Sequence, residues 1–130
     1  MENNYSHIKT QVDAVVHFFE QLDLEMIELL LDDHQYSGYD KKQFILVLGE
    51  VFNRYYSQGD YHLYICHDSS VLGKTAGNGD RTLIFRGNKS GIELHIKLKY
   101  KNWRIINISD TEIDNSNNYT KRFRIRKLLL

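Results

Sequence analysis

Gly91-Ile92-Glu93-Leu94-His95-Ile96-Lys97-Leu98-Lys99-Tyr100 alternates apolar and polar residues without a break. On an extended chain Ile92, Leu94, Ile96, Leu98 and Tyr100 share one side, and Glu93, His95, Lys97 and Lys99 share the other. The period of two predicts a strand with one dry face and one wet face, and the dry face needs cover. The same β-branched and aromatic bias marks Tyr61–Val71 and Arg81–Arg86 before it and Trp103–Ile113 after it. Gly87-Asn88-Lys89-Ser90-Gly91 and Lys101-Asn102 read as turns, so these runs predict an antiparallel meander. A glycine-rich loop is expected at Gly73–Asp80.

Upstream the period changes to that of a helix. Ile8, Val12, Val15, Val16 and Phe19 form one apolar stripe. Asp23 is a second helix start, with Leu22 and Ile27 at staple spacing. The run Leu24 to Leu31 has only Glu25, Glu28 and Asp32 as a polar edge, which predicts cover on most sides. A very short strand fits at His34–Tyr36. Asp40 with Gln43 has capping-box spacing before the stripe Phe44, Leu48, Val51, Phe52 and Tyr55, and Gly59 is placed to end that helix. Helices followed by antiparallel strands predict an α+β domain with helices on one sheet face.

The chain has 130 residues, enough for one ordinary domain. Residues 1–114 are expected to form it, with 115–130 as a polar linker and basic tail. No apolar run reaches the roughly 20 residues of a membrane helix, and the polar start does not read as a signal peptide. Cys66 is the only cysteine, which excludes an internal disulfide and points to the cytoplasm. The formal charge of zero hides an asymmetry: residues 1–33 hold eight acids and one base, whereas the rest hold nine acids and sixteen bases. Five of those bases lie in Lys121–Lys127. The balanced total argues against nucleic acid as the main partner.

The order helix, helix, short strand near Tyr36, long helix from Asp40 and four long strands resembles the NTF2-like (cystatin-like cone) superfamily. Gly73-Lys74, followed by Phe85-Arg86-Gly87-Asn88-Lys89-Ser90-Gly91, is also similar to an uncharacterised NTF2-like family of Bacteroidetes-type bacteria. Paired cysteines often precede the Gly-Lys in that family; here Cys66 has no partner. The resemblance implies a strongly curved antiparallel sheet wrapping the long helix, with three N-terminal helices packed on it and room for a small apolar ligand. In NTF2-like ketosteroid isomerases and polyketide cyclases, an acid or histidine at the cone mouth moves a proton beside a carbonyl. Asp33, His34 and Tyr36 occupy the comparable region, near the stripe that ends at Tyr55, and these four are the candidate pocket residues. A dry carboxylate there would have a raised pKa and could act as general base or acid.

Other chemistry reads weakly. Gly73-Lys74-Thr75 lacks the earlier glycine and following helix of a phosphate loop, so a hairpin loop is expected. No histidine pair has helical i,i+4 or strand i,i+2 spacing, so neither a metal nor another cofactor is expected. Cys66 is expected to be a buried thiol, turned away from His67 by strand alternation. Arg122, Arg124 and Arg126 alternate with Phe123 and Ile125, which fits either an edge strand or a solvated tail able to meet an anion. Apolar residues on both faces, with Leu63 and Ile65 opposing Tyr64 and Cys66 and Trp103 and Ile105 opposing Ile106 and Ile108, predict a homodimer through the sheet. A dimeric binding module is therefore the first functional expectation, ahead of an isomerase or cyclase and of a tail that binds anions.

Overall fold

Short polar side chains start each helix. In the computed structural model, which describes residues 8–111 and 121–125, the Thr10 hydroxyl accepts the Asp13 N–H and opens α1 (Gln11–Glu20). Asp23 accepts from Met26 to open α2 (Leu24–Leu30), and Asp40 accepts from Gln43 to open α3 (Lys41–Ser57). Each bond satisfies an amide that the helix itself leaves without a partner. Gly59, at φ +87°, takes the chain out of α3 in a conformation that side chains resist.

Period-two patterning then forms β1 (Leu63–Leu72), β2 (Gly79–Gly87), β3 (Glu93–Lys101) and β4 (Arg104–Asp110). They pair antiparallel in the order β1-β2-β3-β4, and β5 (Arg122–Phe123) runs parallel to β3. Beside β4, β3 has room left at its start, and β5 fills that place, with the Glu93 N–H donating to Lys121 O at 2.9 Å. The alternation near the chain end thus takes the strand option, and Phe123 and Ile125 are buried. The fold is α+β, and the described sheet does not close on itself.

One aromatic core joins the layers. Phe19 of α1 stacks on Phe85 of β2 at 5.6 Å and meets Phe52 of α3 edge-on at 5.7 Å. Tyr55 meets Phe123 edge-on at 4.8 Å. Leu48, Leu83, Leu94, Ile96 and Leu98 complete the buried face, each such side chain contributing about 1.5–3 kcal/mol by leaving water.

Four local expectations change. α2 buries only Ile27 fully and leaves Leu29 in solvent, because α1 and α3 cover one side of it rather than most. The tight turn after β3 is Asn102-Trp103, both at positive φ (52° and 63°), one residue later than expected. A bulge at Ile106 shifts the register of β4, so Ile105 and Ile108 both face the core instead of opposing each other. Glu93 and His95 leave the wet ladder and are buried, while Lys97 and Lys99 stay toward water.

Candidate functional site

The region after α2 brings two of the four candidate residues together. The His34 and Tyr36 rings lie 4.4 Å apart, and His34 Nε2 is 3.2 Å from the Tyr36 hydroxyl. That hydroxyl donates to Asp32 O at 2.7 Å, and His34 Nε2 also reaches Ile105 O at 3.2 Å. Tyr36 is fully buried against Phe44, and burial pushes its pKa up. Asp33 lies apart, exposed and paired with Lys41 at 3.3 Å. Tyr55 is in the core, donating to Ile92 O at 2.9 Å, and burial raises its pKa too. Both tyrosine hydroxyls therefore satisfy backbone carbonyls. None of the four residues lines the depressions near α1, α3 or the hairpin ends.

A second constellation lies on the sheet face away from the Phe85 side. Arg86, opposite Glu93 in the β2–β3 ladder, donates to Glu93 Oε2 at 2.8 Å. His95 Nε2 donates to Glu93 Oε1 at 2.8 Å, and His95 is only 1% exposed. Burial works against the Glu93 charge, but the bonds from His95 and Arg86 outweigh it and hold its pKa below the usual glutamate value. A carboxylate that orients an imidazole is a general-base arrangement, yet this imidazole is closed to any substrate. Glu93 ties β3 to β2 through Arg86, while His95 braces it from its own strand. The sequence signal of this pair was the i,i+2 spacing of Glu93-Leu94-His95, which reads as a wet ladder until the burial is known.

Cys66 sits at a bulge in β1, where the β1–β2 register slips between Ile65 and His67. The expected burial does not occur: the residue is exposed, with Sγ 3.5 Å from Ile84 O. Partial desolvation raises the thiol pKa, with Arg86 opposing and Glu93 adding to the rise. The thiol form dominates near neutrality, so Cys66 is a poor nucleophile. The Gly73-Lys74-Thr75 segment is a hairpin loop between β1 and β2, with no helix after it.

Four exposed apolar residues lie toward the hairpin end of the sheet. Val71 is 69% exposed, Leu72 77%, Trp103 50% and Ile106 38%. Beside them is a depression of about 480 Å³, lined by Val12, Leu72, Tyr100 and Trp103 together with polar Thr10, Asp13, Asp68, Ser70 and Arg81. Arg81 grips Asp68 with two bonds, at 2.9 and 2.7 Å, and reaches Asp13 at 3.2 Å. The side-chain bond from Asp68 is the main cause of its raised pKa. Trp103 stacks on Tyr100 at 6.0 Å and holds its positive φ through an N–H bond to Gly77 O at 2.8 Å. No protein-family model, curated protein or solved structure matches this chain.

Proposed function

We propose that this chain is a binding module of the NTF2-like cone kind that works as a homodimer paired through its sheet. The observation that carries the reading is the exposed set Val71, Leu72, Trp103 and Ile106 at one end of the sheet. Apolar surface gathered this way costs free energy in water until another surface covers it. A second copy is the most economical cover, because a two-fold contact closes on itself. The interior speaks for binding over catalysis: Phe19, Phe44, Phe52, Phe85, Tyr36 and Tyr55 fill it. A small apolar ligand has its best place in the depression beside Leu72, Tyr100 and Trp103, where a flat ring would extend the existing stack.

Sedimentation of the full chain at micromolar concentration tests the proposal. A species of twice 15.4 kDa is expected, and the paired change Val71→Asp and Leu72→Asp should return it to monomer. A clean monomer near 15.4 kDa for the unaltered chain overturns the reading.

A further inference from the structure

The two edges of the four-strand path are finished differently. On β4, the outward Ile105 N–H donates to Gln11 Oε1 at 2.6 Å, and Ile105 O faces His34 Nε2 at 3.2 Å. Ile108 O accepts from the Ser37 hydroxyl, and Asn107 Oδ1 accepts the Ser37 N–H at 2.9 Å. Three side chains from the helical half of the chain thus seal this edge. β1 is the other edge, and every residue from Cys66 to Leu72 is exposed. Along Asp68-Ser69-Ser70-Val71-Leu72 it has no lysine and no proline, and its one charged side chain, Asp68, is tied back to Arg81 of β2.

The ladder fixes which backbone groups point outward. Gly73 N–H donates to Asn78 O at 2.8 Å, so Gly73 faces β2. Val71 O lies 2.5 Å from where a Gly79 Cβ would stand, so Val71 faces β2 as well. By antiparallel alternation, Asp68, Ser70 and Leu72 turn their N–H and C=O groups to the open side. The bulge at Cys66 ends this regular stretch on one side and the hairpin loop ends it on the other.

We infer that β1 pairs antiparallel with β1 of a second copy, about a two-fold axis through Ser70. Ser70 then faces its own copy, and Asp68 faces Leu72 of the partner subunit at both ends. This register pairs all three outward-facing residues of each chain. Moving the axis to Asp68 would set two carboxylates opposite each other, which is destabilising. Small serines at the centre let the backbones meet, and Val71 and Leu72 gain neighbours on opposite faces of the joined sheet. The inference rests on the homodimer reading above and specifies its geometry.

Three measurements on the full chain test it. In a Cys66→Ser background, Ser70→Cys places two thiols on directly opposite residues with Cα atoms about 5.5 Å apart, within disulfide range. Mild oxidation should then trap most of the protein as a covalent dimer, whereas Ile106→Cys in the same background should stay uncrosslinked. Ser70→Pro removes only an outward N–H, a place where an edge strand tolerates proline. It should leave the circular dichroism unchanged and raise the dimer Kd by about tenfold or more, since two symmetric bonds are lost. Amide exchange at Asp68, Ser70 and Leu72 should slow as concentration rises. A dimer that neither crosslinks at position 70 nor weakens with Ser70→Pro overturns the edge geometry and leaves the homodimer reading standing. A monomer overturns both. Protection at β1 that does not depend on concentration places some other segment on the edge and also overturns the inference.

Discussion

Position 87 has room for a hydrogen atom and nothing larger. A Cβ there would stand 2.5 Å from Asp60 Oδ2 and 2.6 Å from Ser90 Oγ. Asp60 joins the end of α3 to the β2–β3 turn by accepting from the Lys89 N–H at 2.7 Å, the Ser90 N–H at 2.8 Å and the Ser90 hydroxyl at 2.6 Å. Gly87→Ala must push this cluster apart and should cost about 1–3 kcal/mol, read as a lower urea midpoint at unchanged slope. Burial works against the Asp60 charge, but those bonds prevail and hold its pKa below 3.8, as the bonds to Glu93 hold that group below 4.5. At acid pH the unfolded chain therefore binds more protons than the folded one at both sites. Their contribution is complete well above pH 4.5 and declines as pH falls through the lowered values. Thermal melts taken down to acid pH should show this decline, and Asp60→Asn should make it shallower. A variant as acid-sensitive as the parent would show that Asp60 carries none of it.

Among the elements, the caps were legible because a cap is a local event. Asp23 and Asp40 each needed only a short acceptor three residues ahead of an amide. The two bulges were hidden, since one extra residue at Cys66 or Ile106 leaves composition unchanged while reversing which face every later side chain takes. Of the candidate residues, the helix stripe ending in Tyr55 was readable from its period. The Tyr36 hydroxyl meets Asp32 O only four residues back, whereas the partner of the Tyr55 hydroxyl, Ile92 O, lies 37 residues away and could not be read locally. The sealing of β4 is nonlocal in the same way, with Gln11 lying 94 residues from Ile105. Gln11→Leu strands the buried Ile105 N–H and should cost about 1–3 kcal/mol, with faster amide exchange concentrated in β4. Uniform loss across the sheet would point instead to general loosening of α1.

At the scale of the whole molecule, the acidic first quarter and the more basic remainder meet across specific pairs rather than as a diffuse field. Asp13 and Asp68 share Arg81, and Asp32 holds Arg104, whose side-chain bond lowers the Asp32 pKa. The interior needs no opening for the proposed role, because the surfaces offered to a partner are at the rim. One feature of that rim doubles as an optical reporter. Trp103 is the only tryptophan in the chain, half-exposed and stacked on Tyr100 beside the hairpin end. Its emission therefore reads the environment of this one corner. If Leu72 and its neighbours are covered when two chains meet, the emission maximum should move to shorter wavelength as concentration rises from nanomolar to micromolar. Unfolding should move it the other way, so a single cuvette can separate assembly from denaturation.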